Sequence, residues 1–412
     1  MPRRVLLIPA VLIAMLAGCS TGAPAHPGSS AGPNSTSDAP STTSGSSSSG
    51  STSSGSASST GSAPTSPSPT SSAQIQLETM SLPERVGQLF MVDCPSTGVG
   101  QASATAITRY HVGSVILDGN SDLGVEGTAA VVARLQKLIT RGPQLFVATD
   151  QEGGEVQRLR GSGFSAIPSA LEQGTQNPGQ LKVNTTVWAG QLRAAGINVD
   201  LAPVLDTVPA NFGSNPPIGD LDREFGHDPE TVSSHGVAVT AGLAAAGVDA
   251  TVKHFPGLGR VSANTDTTAG VTDSVTTRHD PYLAPFAAAI RAGAPFVMVS
   301  TAVYSRIDPT HPAAFSKTVV TGMLRDDLGF KGVVITDDVG AAKQVSGYPV
   351  GARAVDFITA GGDMVLTVDA TQAAAMTQAV LAKAQSSPAF KALVDAAALR
   401  VLQAKQARGL LP

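Results

Sequence analysis

Cysteine, aromatic residues and charge are all scarce in this chain. Two cysteines (Cys19 and Cys94) cannot build a disulfide framework, and 4 % aromatics with a single tryptophan leave the core to aliphatic side chains. Charged residues make up 14 % of the sequence, the net charge is −4 and no basic block occurs, which argues against nucleic-acid or polybasic membrane-surface binding. No G-x-G-x-x-G opens a helix after the first apolar run, so a dinucleotide fold is excluded. The seven histidines show neither H-x-H nor H-E-x-x-H spacing; no metal and no cofactor is expected, and His111, His235, His279 and His311 are assigned ordinary surface or core roles.

What is present begins with "MPRRVLLIPAVLIAMLAGCS". Two arginines precede the apolar run Val5–Leu16, which falls short of the roughly 20 residues that span a bilayer. This pattern fits an export signal, and its "LAGC" ending resembles a bacterial lipobox. Residues 1–18 are therefore expected to be a lipoprotein signal peptide, with Cys19 the lipidated first residue of an exported protein anchored to the outer face of the cytoplasmic membrane. An ordinary cleaved signal with an incidental cysteine is the alternative. Residues 19–73 are Ser, Thr, Gly and Pro with almost no apolar bulk, which predicts a disordered tether. Residues 74–412 hold the folded part, expected to be monomeric.

Eight short apolar runs recur in that part: 86–93, 112–117, 144–150, 197–204, 248–254, 295–300, 332–338 and 363–368. Helix-like stretches separate most of them. Alternation of this kind implies a parallel sheet covered on both faces, and eight repeats predict a single α/β domain, a closed (β/α)8 TIM-type barrel. The first repeat is the weakest. Asp150, Lys253, His254 and Asp337 each end an apolar run, and in a parallel barrel such ends open on one face. Tight Gly turns in "DQEGG" and "KHFPG" lie beside them. A carboxylate, an ammonium, an imidazole and a second carboxylate at one mouth suit a polar, hydroxyl-rich ligand.

The motifs "DQEGGEVQRLR", "NVDLAPVLD", "DREFGHDPE", "KHFPGLG" and "GFKGVVITDD" together resemble glycoside hydrolase family 3, in particular its single-domain NagZ-type β-N-acetylglucosaminidases. The resemblance runs from Ser81 to about Val368. It implies a retaining hydrolase of carbohydrate, with terminal N-acetylglucosamine on peptidoglycan fragments as substrate and Asp337 as the nucleophile that forms a covalent glycosyl-enzyme. Asp338 is read as its support. Asp150, Arg158, Lys253 and His254 match residues that hold sugar hydroxyls, and Arg223 one near the N-acetyl group; Lys253 and Arg223 are further expected to keep Asp337 ionised.

The family's Asp-x-His pair falls at Asn264 and Asp266, so the expected histidine is absent, and Leu258 replaces another common one. Asp266 becomes the acid/base candidate, since retaining glycosidases ordinarily use two carboxyl groups about 5–5.5 Å apart. Asp273 is held in reserve, and a loop-stabilising turn is the alternative role for Asp266. A carboxylate there also repels an incoming phosphate, which favours hydrolysis over phosphorolysis. Competing functions are a β-glucosidase of the same fold and a sugar-binding lipoprotein or inactive sensor.

Overall fold

The computed structural model describes residues 71–412; the signal, Cys19 and nearly all of the tether lie outside the described residues. The first element among the described residues is a helix at Ser72–Thr79, whose Ala73 is fully buried.

Eight parallel strands form the sheet: β1 (Phe90–Pro95), β2 (Ser114–Asp118), β3 (Phe146–Thr149), β4 (Val199–Asp200), β5 (Asp249–Phe255), β6 (Phe296–Val299), β7 (Val333–Thr336) and β8 (Val365–Thr367). Each falls within or overlaps one of the eight apolar runs. Their spatial order is β7-β6-β5-β4-β3-β2-β1-β8, and a parallel bridge from Ile335 to Met364 brings the two ends together. A helix follows every strand, from Gln101–Tyr110 after β1 to Ala373–Ser386 after β8. The result is the (β/α)8 barrel.

Strand alternation sorts the side chains into two cores. Met91, Ile116, Phe146, Phe296, Met298, Ile335 and Leu366 point into the barrel, where Phe146 and Phe296 meet edge to face at 5.4 Å. Val92, Val115, Leu117, Val147 and Val334 point outward under the helices. Burial of both faces is why these strands read as continuous apolar runs. The first run is the weakest because Val86 and Gly87 end the helix Leu82–Gly87 and only Phe90 onward is strand.

The amino-terminal ends of the strands are closed by the last helix, Pro388–Ala407, which adds Val401 to the inner core and buries Lys405 completely. The carboxyl ends stay open. There β5 departs from regular pairing: its register with β6 shifts between Val252 and Phe255. Such irregularities re-aim side chains, and here the consecutive residues Lys253 and His254 both border the same cleft.

Candidate active site

One cleft of about 380 Å³ opens at the carboxyl ends of the strands, and Asp150, Arg158, Arg223, Lys253, His254, Asp266 and Asp337 all line it, with Asp118, Leu258 and Asp338. Its cationic wall is a closed lattice. The Lys253 ammonium, 2 % exposed, donates to Asp150 Oδ1 at 2.6 Å and sits 2.6 Å from Glu152 Oε1. Arg223 grips Glu152 with two parallel bonds, Nε to Oε2 at 2.8 Å and Nη2 to Oε1 at 2.7 Å, and gives Nη1 to the Pro217 carbonyl. Two cations and two carboxylates so arranged are mutually neutralised. Burial works against the charged form of Glu152, but Arg223 and Lys253 outweigh it and hold its carboxyl below the usual range. Burial likewise opposes the charge on Lys253, which Asp150 and Glu152 more than restore. Arg158 is looser: Nη1 lies 3.4 Å from Asn120 Oδ1, and its buried Nε has no protein partner among the described residues.

Asp337 follows β7 and is half-buried, its amide bonded to the Val299 carbonyl at 2.9 Å. Burial raises its carboxyl pKa and nearby Asp266 raises it further, while His254 and Lys253 oppose. Lys253 and Arg223 spend their hydrogen bonds on Asp150 and Glu152, and Lys253 still acts on Asp337 as a nearby positive charge that favours its ionised form. Asp338 turns the other way. Its Oδ1 accepts from Gly340 and Val368 amides at 2.8 and 2.9 Å, and its Oδ2 from Ala341 and Ala342 at 2.7 and 2.9 Å, so it shapes the turn after β7.

The loop after β5 carries Asp266 over the cleft. Asn264 Oδ1 accepts the Asp266 amide at 2.8 Å, so the local turn is made by Asn264, and no hydrogen bond engages the Asp266 carboxyl among the described residues. Lys343 and Gln344 amides bond the carbonyls of Asp266 and Thr265, both at 3.0 Å, tying the loop to the segment after β7. Asp266 is an exposed residue on the rim of the cleft. Desolvation by its surroundings raises its pKa, helped by Asp338 and Asp150 and opposed by His254 and Arg223. Asp273 is not brought to the cleft. It is fully buried and accepts from the Val275 and Thr276 amides at 2.7 and 2.8 Å.

Comparison with known proteins gives this arrangement its lineage. The profile described as glycosyl hydrolase family 3 N terminal domain matches residues 81–404. The chain belongs to glycosyl hydrolase family 3. It is accordingly a glycoside hydrolase. A β-hexosaminidase of Xanthomonas campestris pv. campestris is 36 % identical over 273 residues, spanning 62 % of this chain and 77 % of that protein. The solved β-N-acetylhexosaminidase of Beutenbergia cavernae DSM 12333 is 55 % identical with a TM-score of 0.79, covering 79 % of this chain and 99 % of the other. LpqI of M tuberculosis is 29 % identical with a TM-score of 0.69, covering 80 % and 94 %.

In and behind the wall of this family 3 cleft, sequence reasoning missed three carboxylates. Glu152 lies inside "DQEGG" and anchors both cations, yet it sits in a short strand, Gln151–Gly153, off the barrel. Asp206, two residues past the fourth apolar run, meets His254 Nδ1 at 2.6 Å. Asp118 ends β2 and was one residue beyond the apolar run; the strand-end rule that found Asp150 also covers it.

Proposed function

We propose that the chain is an exo-acting, retaining β-N-acetylglucosaminidase that removes terminal N-acetylglucosamine from peptidoglycan fragments. The observation that carries this reading is that Asp337 and Asp266 line one cleft, each with its carboxyl pKa raised and Asp266 adding to the rise at Asp337. Two carboxyls lining one cleft resist simultaneous ionisation, so such a pair can hold one proton between nucleophile and acid. In the first step Asp337 carboxylate attacks the anomeric carbon while protonated Asp266 gives its proton to the leaving oxygen. In the second, Asp266 carboxylate takes a proton from water, water oxygen bonds the anomeric carbon, and Asp337 is released. The Lys253–Asp150–Glu152–Arg223 lattice presents donors and acceptors in fixed positions for hydroxyls, and hydrogen bonds to charged groups contribute about 1.5–3 kcal/mol each. The N-acetylhexosamine substrate is supported by the named relatives; the fragment class and the exo mode extend that likeness.

The same proposal places the enzyme outside the cytoplasmic membrane on a Cys19 lipid anchor, supported by the lipobox-like "LAGC" and the Ser/Thr-rich segment that follows. Palmitate labelling that persists after Cys19→Ser would remove that part. For the chemistry, a 2-fluoro N-acetylglucosaminyl-type inactivator should leave a covalent sugar on the peptide containing Asp337. An adduct elsewhere, or binding without turnover of any N-acetylhexosaminide, would point to the sugar-binding alternative. Preference for aryl glucosides over aryl N-acetylglucosaminides would point to a β-glucosidase.

A further inference from the structure

Asp206 is completely buried in the segment after β4 and does not border the cleft. Three N–H groups nevertheless converge on it. His254 Nδ1 reaches Oδ2 at 2.6 Å, while the amides of His254 and Leu258 reach Oδ1 at 3.2 and 2.7 Å. With Nδ1 engaged, Nε2 is the ring nitrogen left for the cleft, which Asp337 and Asp266 also line. The bond to Leu258 has a second effect. Together with Asn215, whose Nδ2 donates to the Leu258 and Val261 carbonyls at 2.9 and 2.8 Å, it fixes the turn from which the Asp266 loop departs.

We propose that Asp206 is a positioning residue for the glycosidase reaction: it holds His254 with Nδ1–H bonded inward and Nε2 presented between the two cleft carboxyls, and pins the turn that delivers Asp266. Asp206 lies outside the cleft and acts on its chemistry through the imidazole, much as a buried carboxylate orients a histidine in hydrolytic triads. This supplies from the barrel wall an Asp–His pair that the loop itself lacks. The inference rests on the glycosidase reading above.

A double-mutant cycle tests it with p-nitrophenyl N-acetyl-β-glucosaminide. Asp206→Asn keeps an oxygen for the Leu258 amide and so spares the turn; it and His254→Gln should each lower kcat by about 10- to 100-fold, and the double variant should lie within about threefold of His254→Gln, because the first change then acts through the second residue. Losses that multiply, or a fully active Asp206→Asn, would overturn the proposal. Should Asp206→Asn fail to fold, nitrogen-15 histidine NMR of the wild-type protein decides instead, with the His254 signal assigned by its loss in His254→Gln. A protonated Nδ1 is expected, and a ring bearing its proton on Nε2 alone would contradict it. Wild-type protein that turns over no N-acetylhexosaminide would instead sink the functional reading, while the NMR result would still judge the Asp206–His254 geometry.

Discussion

At Asp266 desolvation and the Asp338 and Asp150 carboxylates act against His254 and Arg223, and the balance raises its pKa. If its proton goes to the leaving oxygen, Asp266→Ala should lose at least about 100-fold in kcat/KM on alkyl N-acetylglucosaminides yet stay within about tenfold of wild type on dinitrophenyl ones, whose leaving groups need no proton. Equal losses on both would take Asp266 out of the mechanism. Because the acceptor-side group is a carboxylate, added phosphate should leave the rate unchanged and yield no glycosyl phosphate. A third acid behaves differently. Asp200 on β4 is 3 % exposed, accepts only the Gln151 amide among the described residues, at 3.0 Å, and burial pushes its pKa up to about 8. A carboxyl whose pKa rises on folding binds more protons in the native than in the unfolded state between about pH 4 and 8. Stability therefore falls as pH rises through that window. Asp200→Asn should flatten this fall, leaving the variant more stable than wild type by of order a few kcal/mol at about pH 9 and nearly equal at about pH 4 in urea titrations.

Between elements, the loop that carries Asp266 is held by backbone contact with the segment after β4. A Cβ on Gly259 would lie 1.9 Å from the Thr207 carbonyl oxygen, a distance that backbone must move to relieve. Gly259→Ala should cost about 1–3 kcal/mol of stability and lower kcat by displacing Asp266, while Gly142→Ala, where nothing lies within 4 Å, tests the φ of +82° alone. A Gly259→Ala protein with wild-type melting temperature and rate would show that the loop is not seated as described. This contact also marks what the sequence concealed. Lys253 and His254 could be placed at the end of β5 from the apolar run before them. Their partners could not, because Glu152 and Asp206 reach them across sequence separations of about 100 and 48 residues, and nothing local in "DQEGG" or "APVLD" reports a contact made only after the barrel closes. The strand-end rule also assumes regular alternation, whereas the shifted β5–β6 register lets two successive side chains serve one cleft.

For the whole molecule, eight apolar runs made the barrel legible because each strand is buried on both faces, a property of composition rather than of distant contacts. The floor of the barrel was not legible, since nothing in "VLQAKQARG" distinguishes Lys405 from any surface lysine of an amphipathic helix. Lys405 is fully buried, donates to Gln88 Oε1 and the Gly113 carbonyl at 2.7 and 2.8 Å, and lies 5.5 Å from the Phe146 ring centre. None of these partners is an anion, and burial drives its pKa down to about 7. A lysine whose pKa falls on folding binds fewer protons in the native than in the unfolded state between pH 7 and its ordinary value near 10.5. Unfolding therefore takes up a proton in that window and stability gains with rising pH, by up to about 1.4 kcal/mol per pH unit from this group. Lys405→Met keeps the length and apolar stem while removing the titrating end. Denaturant titrations from about pH 7 to 9.5 should show the wild-type-minus-variant stability difference rising with pH. A difference that stays constant would mean that Lys405 keeps its proton in the folded protein and that the floor of the barrel tolerates a charge held by neutral acceptors alone.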